Sequence, residues 1–279
     1  PPSSTTVSAV PVQLLNQEVL AASNLAIAGT DRYHVDVVVE GTRSDVLALQ
    51  PDQVTATADL FGMSKGQNYL VVSVSVPERI TVTEIKSGRI PVLIDELVSV
   101  QKPVELQILE EIARHEIGSV SLQPQEISVM GAKSIVDLVR SVRIQISSAA
   151  LTETPAKFQL SADAVGADGE PIYNVRLSHA YVELTAALYQ TKTVPLEVPL
   201  EGVPAQNMEV TGKDIPEEIT VKGSAQILQT VEAVVAEPLN IDGIAEDATL
   251  PVVPILPTGV EVAEESLQLQ ANFTLAHME

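Results

Sequence analysis

The chain has 279 residues, a length that suits two or three domains, with 45% apolar residues, only 3% aromatic ones, no Trp and no Cys. A lack of Cys excludes disulfides and thiolate chemistry, and it leaves the redox compartment unreadable. The net charge of −21 argues against nucleic acid, which needs clustered Lys and Arg, and against peripheral binding to anionic lipid. Residues 189–279 hold 3 basic and 15 acidic groups, 3 − 15 = −12, so more than half of that charge sits in the last third. A solvated acidic surface accounts for this, and a basic partner or a cation is the sharper alternative.

The chain opens on Pro1-Pro2-Ser3-Ser4-Thr5-Thr6, whose composition predicts a linker over residues 1–8. The first extended segment begins at Val10-Pro11-Val12, since an X-Pro step fixes extended backbone and suits a strand start or an edge. Its counterparts are Pro103 and Pro195, each 92 residues further on. Next comes His34 to Gly41, read as one apolar face of a strand followed by a glycine corner. This stretch returns as Pro124-Gln125-Glu126-Ile127-Ser128-Val129-Met130-Gly131. It returns again as Pro216-Glu217-Glu218-Ile219-Thr220-Val221-Lys222-Gly223. Each of Gly41, Gly131 and Gly223 is expected to take a positive φ. Apolar residues at helical spacing follow each one, Val46 and Leu49, Val136 and Val139, Leu228 and Val231, with Ser44 and Ser134 placed as N-caps. The repeating unit is therefore strand, glycine corner and one helical turn, with a period of about ninety residues.

More strands follow each turn. In the first unit they are 54–60, 69–76, 80–82 and 90–94, with a polar loop from Gly62 to Asn68. In the second they are 142–146, 158–164 and 175–188, with a turn at Gly166-Ala167-Asp168-Gly169. In the third they are 231–241, 250–256 and 267–275. The stretch 104–115 reads either as a two-turn helix or as a strand running into a polar turn. The fold class is all-β: three tandem small β domains at 9–98, 99–188 and 189–275, with a tail at 276–279. Joints near Val98-Ser99 and Leu188-Tyr189 leave almost no linker, so the sequence predicts an elongated rod.

Motifs that carry chemistry fail on context. Gly62-Met63-Ser64-Lys65-Gly66 has the letters of a nucleophile elbow, but a strand pattern follows it where a helix is required. His34, His115, His179 and His277 are at least 64 residues apart, and Ser178 and His179 are expected on opposite strand faces. Asp163, Asp168 and Glu170 lack calcium-loop spacing, because Val165 and Ala167 occupy positions that need oxygen ligands. Asp242, Glu246 and Asp247 form a second acidic loop, open to weak cation binding. No catalytic, cofactor-binding or metal-binding residue is assigned. The site residues are the repeat glycines Gly41, Gly131 and Gly223 and the repeat-entry prolines Pro11, Pro103 and Pro195. With so few aromatic residues, no large exposed aromatic anchor is expected.

The succession Val10-Pro11-Val12, Val37-x-Val39-x-Gly41, Asp59-Leu60, a glycine-containing loop, Val74-Ser75-Val76-Pro77-Glu78 and Ile80-x-Val82 resembles the YbbR domain. The later copies of Pro-x-Glu-Ile-x-Val-x-Gly resemble it more closely, and the first copy departs from the signature with His34 in place of Pro. The resemblance spans residues 9–275. It implies a small β domain similar to the ribosomal L25 type. It also implies proteins with an N-terminal membrane helix and several such domains outside the cell, acting as partners of a membrane-bound diadenylate cyclase. No membrane helix lies within this sequence, so the resemblance implies a soluble part of a single-pass extracytoplasmic regulator. A structural or adhesive tandem-β protein of the cell surface is the competing expectation.

Overall fold

The structure is a computed structural model, and it describes residues 2–29, 32–110, 112 and 114–278. Pro1 of the expected linker, Glu279 of the expected tail, and Glu111 and Ala113 of the stretch 104–115 lie outside the described residues.

The first sequence repeat forms β1 (Pro2–Leu15), α1 (Gln17–Ala22), β2 (Leu25–Ile27), β3 (Tyr33–Thr42), α2 (Arg43–Ala48), β4 (Thr55–Asp59), β5 (Gly66–Val71), β6 (Ser73–Ser75) and β7 (Ile80–Lys86). The second contributes β8 (Arg89–Ile108), β9 (His115–Gln123), β10 (Glu126–Ala132), α3 (Lys133–Val136), β11 (Ser141–Ile146), β12 (Ala156–Ser161), β13 (Asp163–Val165) and β14 (Arg176–Leu177). The third contributes β15 (Tyr181–Glu197), β16 (Leu200–Glu201), β17 (Met208–Asp214), β18 (Glu218–Gly223), α4 (Ala225–Leu228), β19 (Val234–Ala236), β20 (Leu239–Asn240), β21 (Ala248–Pro251), β22 (Pro254–Ile255), β23 (Glu261–Val262) and β24 (Gln270–His277).

One strand order occurs three times. The five-stranded paths are β6-β4-β1-β3-β7, β13-β11-β8-β10-β14 and β22-β19-β15-β18-β23. Three-stranded groups accompany them: β2-β8-β5, β9-β15-β12 and β17-β24-β21. The long strands β8 and β15 serve twice. Each is the middle of a three-stranded group in its first half and the middle of a five-stranded path in its second.

The chain divides into two compact units. One holds the chain up to Glu105 together with Pro124–Ile144 and Ser161–Tyr181. The other holds Leu106–Gln123, Gln145–Leu160 and Val182 onward. In the first, alternation puts Val35, Val37 and Val39 of β3 and Ile90, Val92 and Ile94 of β8 into one core with Leu60 and Leu70. In the second, Val194, Ile219, Val221, Ala271 and Phe273 form the centre of another. Full burial of a Val or Ile side chain stabilises by roughly 1.5–3 kcal/mol, so these β-branched faces, joined by Phe273 in the second unit, drive the fold.

Several local expectations are corrected. Residues 2–8 are not a linker but the first half of β1, paired with β3 from Pro2↔Thr42 to Val7↔Val37. The expected joints at Val98-Ser99 and Leu188-Tyr189 fall inside the continuous strands β8 and β15, and residues 276–277 belong to β24. Pro11, Pro103 and Pro195 lie within strands, not at their starts, opposite His34, Glu126 and Glu218. Pro11 and Pro195 are tolerated because the parallel neighbour begins one residue later, at Val12↔Ala56 and Leu196↔Val234, so the missing N–H is not needed there. The caps also move. Thr42 and Ser224 cap α2 and α4, while Ala132 precedes α3 with no side-chain cap. Ser44 and Ser134 sit inside the first helical turn. The stretch 104–115 continues β8 as strand as far as Ile108.

The repeat glycines do not take positive φ; they end strands in extended backbone. What they avoid is collision. A Cβ on Gly41 meets Ile80 Cδ1 at 3.0 Å and Arg79 O at 3.1 Å, one on Gly131 meets Asn174 O at 3.2 Å, and one on Gly223 meets Gly259 O at 3.0 Å. In each case the helical turn packs behind as well, through Val46, Val136 and Leu228.

Candidate functional site

The chemical motifs stay apart in space or are used in turns. Gly62 to Gly66 joins β4 to β5, with φ of 75° and 111° at the two glycines, and Lys65 Nζ donates to Glu96 Oε1 at 2.7 Å. Asp168 Oδ1 accepts from Glu170 N at 3.0 Å beside Gly169 with φ 80°, a turn and not a cation loop. Asp247 Oδ1 accepts from Leu275 N at 2.8 Å. Ser178 and His179 lie in a bend after β14, so strand alternation does not apply; Ser178 Oγ and His179 Nδ1 are 3.0 Å apart. Among the described residues no group of three His, Cys, Asp or Glu is placed to hold a metal ion.

Surfaces remain, and the first is an aromatic one that composition concealed. Phe61, Tyr69, Tyr173 and Tyr181 are 67%, 65%, 75% and 62% exposed, which overturns the expectation of no exposed aromatic anchor. Tyr69 belongs to a contiguous patch. On the outer face of β5 and β8, Val71 stands opposite Arg89, Tyr69 opposite Pro91, and Gln67 opposite Leu93. Period-2 geometry puts all six on one side, while Leu70, Val92 and Ile94 point into the core. An apolar strip rimmed by Arg89 and Gln67 is the chemistry of a protein-contact surface.

The second set of surfaces lies where one sequence repeat meets the next. In the first unit α1 and β2 lie against Leu97, Met130 and residues 174–176 around a groove of about 550 Å³. Asn174 Nδ2 donates to Gly29 O, and Ser134 N donates to Asp95 Oδ2 at 3.0 Å. The N–H groups of Glu96 and Ser134 hold the Asp95 carboxyl below its usual pKa. In the second unit β9 meets β18 and β23 around a groove of about 410 Å³. There Lys222 Nζ donates to Ile117 O at 2.7 Å and lies 3.5 Å from Glu116 Oε2. Ser119 N donates to Glu261 Oε1 at 2.6 Å, and Glu264 N to Glu116 Oε2 at 2.9 Å. Glu110, on the rim, is held below its usual pKa first by the N–H of Ser148.

Sequence reading found the strands that carry these surfaces but not the surfaces themselves. Register equates the joints: Glu40↔Thr81, Met130↔Arg176 and Lys222↔Glu261 are the same cross-strand position. Only the period of the repeat hinted at that.

Residues 194–272 match the family model described as YbbR-like protein. The CdaA regulatory protein CdaR of Bacillus subtilis (strain 168) is 22% identical over 267 residues, covering 93% of this chain and 54% of that protein. The chain thus spans about half the length of this curated relative. A YbbR-like protein from Streptococcus pneumoniae TIGR4 superposes with a TM-score of 0.50 at 17% identity, over 68% of this chain and 96% of the other. The YbbR-like domain of lmo2119 from Listeria monocytogenes is 28% identical, with a TM-score of 0.28, over 34% of this chain and 94% of that one. Residues 194–272 thus match a YbbR-like domain, and the fold of the chain is similar to that of a YbbR-like protein.

Proposed function

We propose that this chain is a non-catalytic, extracytoplasmic interaction protein that modulates a membrane-bound diadenylate cyclase, and hence cyclic di-AMP synthesis, by protein contact. The observation that carries this reading is the alignment with CdaR, which covers 93% of this chain. Division into repeats at 9–98, 99–188 and 189–275 is part of the same reading, supported by the threefold recurrence of strand order. The repeat glycines and prolines are proposed to be structural, as their common register supports.

A protein without a catalytic group changes an enzyme only by binding two of its states unequally, at about 1.4 kcal/mol for each factor of ten. The contact surface is proposed to be the strip of Tyr69, Val71, Pro91 and Leu93, where an exposed aromatic residue supplies an anchor. A weak contact suffices when both proteins share one membrane, because a short tether raises the effective concentration to roughly millimolar.

The test compares cyclic di-AMP output of cyclase-containing membranes with three additions: this chain on a membrane helix, the soluble chain, and the tethered Tyr69→Ser/Val71→Ser variant. The tethered form is expected to change output clearly, and the other two little. Equal potency of tethered and soluble chain defeats the tethering argument. No effect from any form defeats the regulator reading.

A further inference from the structure

We propose that the outer face of β15, β19 and β22, with Val235, Val253 and Ile255 at its centre and Glu197, Glu218 and Glu237 around them, docks a basic, apolar segment of another protein. Register assembles this face. Val235 stands opposite Ile255 across β19 and β22 and beside Glu197 of β15. Two residues further along, Glu237 N donates to Val253 O at 2.8 Å. Glu218 of β18 faces Pro195, which precedes Glu197 on the same side of β15. Val235, Val253 and Ile255 are 43%, 47% and 58% exposed, whereas Leu196, Val234 and Ala236 alternate with them into the core.

The fold itself does not require apolar side chains there. The ladders β4-β6, β11-β13 and β19-β22 hold the same place in the three five-stranded paths, and their outermost pairs are Thr55↔Ser75, Ser141↔Val165 and Val235↔Ile255. The first pair is polar and exposed. The second is buried, because the chain after Val165 folds back over its own edge, pairing Val165 with Pro171 and sending Ile172 N to Ala164 O at 2.8 Å. The third is apolar, and the chain after Ile255 leaves through the turn closed by Val260 N and Pro257 O to reach β23, at the opposite edge of the path. The joints between repeats run through β14 or β23 on one side and through α1 and β2, or β9, on the other. A further repeat joined in the same manner would therefore use neither β19 nor β22.

Charge selects the occupant. Among the described residues, the side chains of Glu197, Glu218 and Glu237 make no hydrogen bond or ion pair. Residues 189–279 contain only 3 basic groups. Of these, Lys192 Nζ donates to Leu228 O and Val231 O at 3.0 and 2.7 Å, and Lys222 is engaged at the second joint. A second copy of this chain would bring the same carboxylates against one another, and an anionic lipid surface meets the same repulsion. The complementary occupant is a protein segment that combines Lys or Arg with apolar side chains. Pro254 within β22 removes a donor from the sheet edge, so the segment lies across the face and does not add a strand. This face is separate in sequence from the Tyr69 strip proposed to meet the cyclase, and its occupancy does not depend on that contact.

Fluorescence anisotropy tests this with the whole chain and two labelled short peptides, one of alternating Lys and Leu and one of alternating Lys and Ser. The salt is about 150 mM, where charges beyond ~8 Å are largely screened. The Lys/Leu peptide is expected to bind with a Kd below about 1 mM, and the Lys/Ser peptide roughly tenfold more weakly, because it lacks an apolar face. Val235→Thr/Ile255→Ser installs the side chains of the first-repeat pair, and it is expected to weaken Lys/Leu binding roughly tenfold. Glu197→Gln/Glu237→Gln leaves the apolar centre intact and is expected to weaken it roughly fivefold. All four positions are exposed, and unchanged thermal melting confirms that each variant folds. A Lys/Leu peptide that does not bind, equal binding of the two peptides, or wild-type affinity in either variant overturns the proposal. Equal binding of the peptides is what diffuse attraction to the net charge of −21 would give.

Discussion

Gly118→Ala is the most informative single change in the second unit. Gly118 lies in β9 opposite Ala187, and the ring of Tyr189, two residues along β15, covers it. An added Cβ falls 2.1 Å from Tyr189 Cδ2 and 2.5 Å from Cε2. Carbon atoms need about 3.5 Å, so the ring must retreat by roughly 1.4 Å. Tyr189 is only 5% exposed, and its hydroxyl lies 2.6 Å from Ser119 Oγ, so retreat costs packing and stretches that bond as well. Overpacking typically costs about 1–3 kcal/mol and a lost neutral hydrogen bond about 1, so a destabilisation of roughly 2–4 kcal/mol is expected. Urea denaturation of the wild type, Gly118→Ala, Tyr189→Ala and the double variant gives a cycle that isolates the clash. If the steric account holds, Gly118→Ala costs much less once the ring is gone. A cost that is the same in both backgrounds, or below about 0.5 kcal/mol in the wild type, refutes it.

Gly131→Val is expected to destabilise by about 1–3 kcal/mol in thermal or urea melts, because its Cβ meets Asn174 O at 3.2 Å and Val175 Cγ1 at 3.4 Å. Lys222→Met places at the second joint the residue that Met130 supplies at the first. It is expected to cost about 1–3 kcal/mol in urea midpoint analysis, since Ile117 O loses its charged donor. Asp95 has its pKa lowered from an ordinary 3.8 by the N–H groups of Glu96 and Ser134. Its stabilising contribution is therefore complete above 3.8 and is lost as pH falls through the lower folded value. Asp95→Asn should flatten the acid limb of a stability–pH curve, and an unaltered slope counts against that role.

How much of this was legible depends on the range of the interaction. Alternation in β3, β10 and β18 marks strands because each face is decided by neighbours two residues apart, and the helical turns after Gly41, Gly131 and Gly223 follow from short spacing. The reason for those glycines was not legible. A positive φ and a close approach of another strand both exclude a side chain, and only the fold reveals Arg79 O, Asn174 O and Gly259 O beside them. α1 escaped notice because its six residues bury only Leu20 and follow Asn16, which sits at φ 64°. Strands such as β14, β20 and β22 have two residues each and no period to read. The joint contacts lie beyond any local pattern: Ser119 to Glu261 spans 142 residues, and Glu116 to Glu264 spans 148.

Strand sharing has a mechanical consequence at each joint. A hinge needs a residue whose φ and ψ can change without breaking a ladder bond. Along β8, pairing passes from Leu25↔Glu96 directly to Ala132↔Leu97, and along β15 Gln190 faces His115 on one side and Gly223 on the other. Neither handover leaves a residue unpaired. Bending at either point is thus an activated opening reaction, governed by the bonds that must break, and not a thermal swivel. A twist applied to one side of such a joint arrives on the other as torque carried by the backbone itself.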